Sequence, residues 1–229
     1  MAKHIQREIE HLKERLISFS ETVEQRVKLA IEAFSTQDAE KAKAVIAGDQ
    51  EIDILEVEVE EECLKILALY QPVAVDLRLV VSILKMNNDL ERIGDVAVNI
   101  AQRVERLCEI GAGEIPSEIE EISKKVKLML RKSLLSLVEM DTEIARGVLV
   151  ADAQVDEIHS HLYKNMLEAI TKDPSKVEQK IIYISVSKQL ERIADLTCNI
   201  AEDVVYTSEG DIVRHGRTKD RRSVKVRAV

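Results

Sequence analysis

Apolar residues recur every three or four positions along most of the chain, which is the spacing of one face of an α-helix. The pattern is clearest in two segments, 83–104 and 183–204. We interpret the apolar positions of both segments as the core stripes of long helices. These positions are Ile83, Met86, Leu90, Ile93, Ala97, Ile100 and Val104 in the first segment, and Tyr183, Val186, Leu190, Ile193, Thr197, Ile200 and Val204 in the second.

Capping residues and prolines divide the chain into six predicted helices. Asp38 and Asp141 are predicted N-caps, because short acidic side chains accept hydrogen bonds from the first helical amides. Pro72 is expected near the first position of the third helix, and Asp173-Pro174 at the start of the last one. The helices are predicted at about 5–34, 38–69, 72–110, 117–140, 141 onward and 174–206, and the intervening segment 111–117 is rich in helix breakers.

The two halves of the chain repeat each other. Residues 20–53 align without gaps onto 123–156, and LERIGDVAVNI from Leu90 corresponds to LERIADLTCNI from Leu190. Short connections between the helices of each repeat predict antiparallel neighbours. The predicted fold class is all-α, with two tandem three-helix bundles. The predicted units are a first bundle at 1–112, a second bundle at 113–208 and a basic, flexible tail at 209–229.

Composition supports this class and excludes others. Charged residues make up 33% of the chain and aromatic residues 3%, with three prolines and no Trp, which favours long helices over sheet. The net charge of -9 disfavours a nucleic-acid binder. No run of eighteen apolar residues and no signal peptide are visible, so we expect a cytoplasmic protein. The three cysteines lack metal-binding spacing, and we expect them to be structural.

A row of oxygen-bearing side chains accompanies the core stripe in each half. On each third helix a Glu, an Asp and an Asn follow at i, i+4 spacing, which places them on one face. Each second helix carries an Asp pair at the same spacing. Asp53 and Glu91 both lie 19 residues from Pro72, so the pairs of this hairpin reach the same height, and the second half repeats the arrangement. The predicted site residues are Asp49, Asp53, Glu91, Asp95 and Asn99, and then Asp152, Asp156, Glu191, Asp195 and Asn199.

Four carboxylates at one level repel each other unless they are protonated or bound to a cation. Oxygen donors suit magnesium, manganese, calcium or iron better than structural zinc, and carboxylate-lined helical bundles hold more than one iron or manganese. We therefore predict a multinuclear metal site in each half, with Asn99 and Asn199 as outer or auxiliary ligands. His159 is a further candidate ligand or a solvated histidine. The alternative is that the acids pair with basic residues, for which Arg78, Arg92, Arg103 and Arg192 are available.

Three further features have simpler interpretations. Gly94 lies mid-helix and corresponds to Ala194, which predicts that the position needs a small side chain for close approach. The glutamates between Glu56 and Glu62 are interpreted as a solvated face. The segment from Gly216 to Val229 carries a net charge of +5 and is either a solubilising end or an arm that touches an acidic partner or an anionic membrane surface.

Four motifs make the chain resemble the PhoU family: QPVAVDLR at 71–78, NNDLERIGDVAVNIA at 87–101, its repeat at 190–204, and GDIVRH at 210–215. The resemblance implies two three-helix bundles whose acidic pairs are ligands of iron or zinc clusters. It also implies a cytoplasmic, non-enzymatic homodimer that represses the phosphate-starvation response. Its implied partners are the ATPase subunit of the phosphate ABC transporter and a membrane sensor histidine kinase, and membrane contact is expected only through them.

The residues themselves leave other functions open. A carboxylate-bridged metal site can hydrolyse phosphate esters or activate oxygen, which makes a metal-dependent hydrolase or oxidase one alternative. A metal-free helical adaptor is another. No Walker loop, dinucleotide turn or nucleophile elbow is present in the sequence. For the metal, we expect iron first, with zinc, manganese, magnesium or calcium as alternatives.

Overall fold

A computed structural model describes residues 2–111 and 113–210. This part of the chain is all-α, as predicted. Residues 211–229, which include most of the GDIVRH segment and of the predicted tail, lie outside the described residues. The helices are α1 (Ala2–Thr36), α2 (Ala39–Ala47), α3 (Asp49–Tyr70), α4 (Ala74–Ile110), α5 (Ser117–Glu139), α6 (Thr142–Lys172) and α7 (Val177–Glu209), with a 3₁₀ turn at Pro174–Lys176.

The helices pack as two similar groups that meet along α4 and α7. In the first group α1 packs against α2, α3 and α4, and in the second α5 packs against α6 and α7. Between the groups, α4 lies along α7 and α1 meets α5. The helices α3, α4, α7 and α6 therefore follow one another side by side.

The helices α4 and α7 run antiparallel. Lys85 Nζ of α4 lies 3.6 Å from Asp203 Oδ1 of α7, and Arg103 Nε of α4 donates a hydrogen bond of 3.1 Å to Ser185 Oγ of α7. Residue numbers thus rise along one helix as they fall along the other. The two halves are therefore related by an approximate two-fold rotation, as expected for a repeat packed against itself.

The core stripes predicted from the sequence are confirmed. All fourteen positions are buried, and the most exposed of them, Tyr183, keeps only 3% of its surface in contact with solvent. Tyr183 packs its ring edge-on against Phe34 of α1, with the ring centres 6.1 Å apart. This contact joins the two halves through aromatic rings, which adds to the stability that apolar burial supplies.

The prediction of one continuous second helix is wrong, because the chain breaks at Gly48 between α2 and α3. The Arg26 guanidinium of α1 lies over Gly48 and donates a hydrogen bond of 3.1 Å to the Ala44 carbonyl near the end of α2. A Cβ at position 48 would meet that guanidinium at 1.7 Å. The equivalent residues of the second half are Met129 and Ala151, and α6 is continuous there.

The turn between α3 and α4 also differs from its prediction. Pro72 does not occupy the first position of α4, which begins at Ala74 after an extended Val73. Gln71 ends α3 in the left-handed region, with φ of 48°, so two more residues are used to reverse the chain. In the second half, Asp173 caps a 3₁₀ turn instead of the helix, and α7 begins three residues later than predicted.

The predicted caps are confirmed, whereas α1 and α7 extend two or three residues beyond their predicted limits. Asp38 accepts hydrogen bonds from the amides of Glu40 and Lys41, and Asp141 accepts equivalent bonds at the start of α6. The breaker-rich segment lies between α4 and α5. None of the described helices combines the length and the apolar character that crossing a membrane requires.

Candidate metal centre

The hairpin of α3 and α4 brings together the predicted carboxylates of the first half, Asp49, Asp53, Glu91 and Asp95, which we call the first acidic cluster. Burial raises the pKa of Asp49, and the charges of Asp53 and Asp95 raise it further. Burial also raises the pKa of Glu91, and the charges of Asp95, Glu56 and Asp53 raise it further. Each of these groups therefore interacts with carboxylates on the neighbouring helix as well as on its own.

The hairpin of α6 and α7 repeats this arrangement with Asp152, Asp156, Glu191 and Asp195, the second acidic cluster. Burial raises the pKa of Asp195, and the charges of Glu191, Asp152 and Asp156 add to the effect. The pKa of Asp152 is raised by burial and by the charges of Asp156 and Glu191. Both hairpins thus assemble the groups whose equal height was predicted from the spacing.

Ion pairing neutralises little of this charge. Of the eight carboxylates, only Glu191 has an ion pair among the described residues, with Lys188 Nζ lying 2.7 Å from Oε1. None of the four arginines considered from the sequence pairs with either cluster within the described part of the chain. The arginine-pairing alternative is therefore not what the structure shows, although Glu191 does have a lysine partner.

The donor chemistry of both clusters fits a hard metal cation. Asp49 Oδ1 and Asp152 Oδ1 are buried and lack a hydrogen-bond partner among the described residues, and a buried oxygen in that state gains from a cation or a donor. The side-chain positions are less favourable for metal binding than the donor chemistry is. Within residues 2–111 and 113–210, no group of three or more His, Cys, Asp or Glu side chains is arranged so that it could hold a metal ion. Like charges on adjacent helices repel, so binding requires these side chains to turn toward a shared cation.

The remaining predicted ligands have other contacts. Asn199 Nδ2 donates a hydrogen bond of 3.4 Å to Asp89 Oδ1 of α4, so this amide faces the other half of the molecule. Asn99 is half-buried at the equivalent position of α4. His159 is half-buried, with Nδ1 2.8 Å from Ser187 Oγ, and burial lowers its pKa. It is therefore not a solvated histidine.

Sequence reasoning assigned Cys198 a purely structural role, yet its thiol lies beside the second acidic cluster. Burial raises the pKa of the thiol, and the charge of Asp152 raises it further. Its position three residues after Asp195 was the available signal, because that spacing places both on one side of α7. All three cysteines are free.

A cavity lies apart from both acidic clusters, between the α4–α5 connection and the 3₁₀ turn. It encloses about 510 Å³ and is lined by residues that include Ile110, Gly113, Lys176, Gln179 and Tyr183. None of the eight carboxylates lines it. The clusters instead lie on the outer faces of their hairpins, where Asp53, Asp95, Asp156 and Asp195 are exposed.

These features define a class of protein: an all-α protein made of a duplicated three-helix unit that carries one acidic hairpin per copy. The family model described as "PhoU domain" matches residues 16–104 and again residues 119–204, once in each half. The chain belongs to the PhoU family.

Relatives and solved structures agree with this assignment. The chain is 38% identical to a phosphate-specific transport system accessory protein PhoU homolog of Aquifex aeolicus, over 94% of this chain and 97% of the relative. The crystal structure of PhoU from Pseudomonas aeruginosa matches 90% of this chain and 99% of its own, with a TM-score of 0.87 and 34% identity. The phosphate transport system regulatory protein PhoU from Streptococcus pneumoniae matches 91% of this chain and 99% of its own, with a TM-score of 0.84 and 29% identity.

Proposed function

We propose that this protein is an accessory regulator of phosphate-specific transport that acts by binding and not by catalysis. The proposal is supported by relatives named as phosphate-specific transport system accessory proteins, which align over 97% and 82% of their own length. It is also supported by the site, because the acidic clusters lie on outer hairpin faces and do not line the 510 Å³ cavity.

The hairpins are the metal-binding elements in this proposal. The observation that carries it is that each hairpin gathers four carboxylates, two of which have raised pKa values: Asp49 and Glu91 in the first, Asp152 and Asp195 in the second. Burial and then the charges of the neighbouring carboxylates raise these pKa values, a state that a bound cation relieves. Iron is the first candidate, and zinc, manganese, magnesium and calcium are the alternatives. The two acidic clusters supply the ligands, and Asn99 and Asn199 are the auxiliary ones.

The proposed partners are the ATPase subunit of the phosphate transporter and a sensor histidine kinase, with the protein acting as a cytoplasmic homodimer. The turn between α3 and α4 is a suitable contact surface. Leu69, Val73 and Val75 are 68%, 75% and 58% exposed at this turn. Exposed apolar residues that cluster in this way mark protein contact sites.

Metal analysis tests the metal-binding part. The double variant Asp95→Asn with Asp195→Asn removes one carboxylate from each cluster, and we expect its metal content per chain to fall to less than about half of the unmodified value. The control, Glu120→Gln with Glu121→Gln on α5, makes the same charge change on exposed residues. Equal metal content in both variants contradicts metal binding at the clusters.

A capture experiment tests the regulatory part separately. The full chain is immobilised and presented with the transporter ATPase subunit from cells grown in high or low phosphate. We expect capture to depend on phosphate supply and to weaken at least about tenfold in Val73→Asp with Val75→Asp, because charged residues disrupt an apolar contact. The control is Val150→Asp, at a residue that is 74% exposed on α6. No capture in either growth condition contradicts the proposed partner.

A further inference from the structure

Helix α3 carries a much denser set of carboxylates than any packing role requires. Fourteen residues, 49–62, contain eight acids and no Lys or Arg. We call the exposed surface of this segment, on both sides of the buried stripe of Ile52 and Val59, the α3 acidic face. Its carboxylates are Asp49, Glu51, Asp53, Glu56, Glu58, Glu60, Glu61 and Glu62.

The second half shows that the fold does not need this charge. Helix α6 packs on α7 as α3 packs on α4, and Val155 and Leu162 are buried like the equivalent Ile52 and Val59. Yet residues 152–165 carry a net charge of −2, against −8 for residues 49–62. At the eight equivalent positions α6 has Asp152, Gln154, Asp156, His159, His161, Tyr163, Lys164 and Asn165. The additional acids of α3 therefore point to a role outside the packing of the bundle.

Ion pairs account for only part of the α3 acidic face. Asp53, Glu60 and Glu61 are exposed and have no ion pair among the described residues. Ile54 and Val57 lie between the acids and are 53% and 48% exposed. The face is thus acidic and apolar together, which fits a partner that is basic and apolar. The paired members are Glu51 with Arg26, Glu58 with Arg15, and Glu62 with Lys65.

The chain itself contains a segment of that chemistry. Residues 211–229 hold seven Arg or Lys and two Asp, a net charge of +5. From Val224 to Val229 apolar residues alternate with Lys225 and Arg227. This composition complements the α3 acidic face in both charge and apolar content.

The distance between the two is within reach. The last described residue, Gly210, lies beside Arg78, because a Cβ on Gly210 would be 3.6 Å from that guanidinium. Arg78 follows Pro72 by six residues and Asp53 precedes Pro72 by 19, so the offset along the hairpin is about 20 Å at 1.5 Å per residue. Nineteen extended residues span about 60 Å. The segment is therefore long enough to reach the α3 acidic face along its full length.

We propose that residues 211–229 dock on the α3 acidic face of their own chain. Their basic side chains pair with Asp53, Glu60 and Glu61, and their valines cover Ile54 and Val57. The bound segment then reduces the repulsion that the carboxylates of α3 exert on one another when the segment is not bound. Because Asp53 also belongs to the first acidic cluster, the experiment is performed with a chelator present, so its result does not depend on metal binding.

Zero-length carbodiimide coupling on the full chain tests the proposal, since it joins a lysine to a carboxylate only where the two touch. Peptide mapping identifies the carboxylates joined to Lys219 and Lys225. We expect coupling to the α3 acidic face at low salt and its loss at about 0.5 M NaCl, where charge attraction is screened. A mixture of ¹⁴N- and ¹⁵N-labelled chains separates coupling within a chain from coupling between chains.

Two charge-matched variants complete the test. Glu60→Gln with Glu61→Gln is expected to reduce coupling to the remaining α3 acids at least about threefold, because the attraction to the segment weakens. Glu120→Gln with Glu121→Gln on α5 is expected to leave it unchanged. The proposal is overturned by coupling spread evenly over the acids of other helices, by coupling only between chains, or by no coupling of Lys219 and Lys225 to α3.

Discussion

The side chain of Ile52 limits which residues position 94 can accept. A Cβ built there would lie 2.7 Å from Cδ1 of Ile52, which is buried in the core of the first half. The backbone of Gly94 is not in the left-handed region. The sequence prediction that this position needs a small side chain for close approach, and not a special backbone angle, is therefore confirmed.

Two glycine-to-alanine substitutions distinguish the effect of helix propensity on stability from the effect of side-chain packing. Gly147 of α6 is exposed, and a Cβ there meets nothing within 4 Å. Gly147→Ala is expected to raise the free energy of unfolding by about 0.5–1 kcal/mol, as alanine favours a helix. Gly94→Ala has the same propensity gain but crowds Ile52, so we expect it to be about 2 kcal/mol less stable than Gly147→Ala. Urea unfolding measures both, and equal stabilities would contradict the packing account.

The acidic clusters give metal-free protein a characteristic pH dependence. The pKa values of Asp49, Glu91, Asp152 and Asp195 are raised above the ordinary 3.8 for Asp and 4.5 for Glu. Above those ordinary values the folded protein holds more protons on these groups than the unfolded chain does. The free energy of unfolding therefore falls as pH rises through the window between the ordinary and the raised values.

Removing one carboxylate charge from a cluster should reduce the loss of stability that accompanies rising pH. Asp195→Asn is expected to increase the stability of the metal-free protein at pH 7 by up to about 1 kcal/mol, a modest gain because water screens the exposed group. The increase should disappear near pH 3, where the carboxyls are protonated in both states. Chemical unfolding with a chelator at both pH values measures it, with Glu120→Gln as the control. A loss of stability at pH 7 would show that the cluster is not under repulsion.

The spacing of residues in the sequence predicted where the carboxylates lie, but it did not predict which side chains contact the site residues. The i, i+4 rows and the equal heights follow from helix geometry alone, so the eight acids were predictable. The hydrogen bond from Asn199 to Asp89 was not, because it depends on how α7 packs on α4. The Lys188–Glu191 pair has a spacing that permits contact, but only the folded environment selects that rotamer over the alternatives.

At the scale of elements, the break between α2 and α3 depends on two residues from different helices. Gly48 supplies the space, and the Arg26 guanidinium of α1 fills it while bonding to the Ala44 carbonyl. The second half has Ala151 and Met129 at these positions and an unbroken α6. We therefore expect the difference between the halves to depend on both residues together and not on one substitution.

A double-mutant cycle tests this dependence. Gly48→Ala alone is expected to destabilise the protein by about 1–2 kcal/mol, since its Cβ collides with the half-buried guanidinium. Adding Arg26→Met, the residue of the second half, should recover at least about 1 kcal/mol relative to the sum of the single changes. Circular dichroism should also show added helix in the double variant. Strictly additive free energies would mean that the two residues do not act together.

The limits of the helices were predictable where local chemistry sets them. Asp38 and Asp141 cap as their sequence context indicates, because a cap involves only residues two or three positions away. Gly48 was not recognised as a break, since an isolated glycine is tolerated inside a helical pattern. Its effect depends on Arg26, 22 residues earlier, and such contacts are not visible in a local pattern.

For the whole molecule, the halves share their interior. Tyr183 of the second half packs on Phe34 of the first, and Asp203 of α7, buried to 1% exposure, lies 3.6 Å from Lys85 of α4. The repeat in the sequence predicted two similar bundles, but it did not predict how they pack. That arrangement depends on which faces remain apolar after each bundle closes.

Cutting the chain between the halves tests how far they depend on each other. Fragments 1–112 and 113–229, purified separately, are expected to lose stability because each exposes a face of α4 or α7 that the other normally buries. Mixing them should restore helical content and produce a one-to-one complex in size-exclusion chromatography. Two fragments that are each fully stable and do not associate would contradict a shared core.

The antiparallel packing of α4 on α7 also places both acidic clusters at the same level of the molecule. Gly94 and Ala194 lie midway between the Lys85–Asp203 and Arg103–Ser185 contacts, beside the carboxylates of the two clusters. The Pro72 end of the hairpin is 22 residues away, which is about 33 Å of arm. A tilt of the hairpin by about 10° at this level would move its tip by about 6 Å, roughly one helical turn. Any such tilt would therefore displace the exposed valines of the tip much further than the carboxylates.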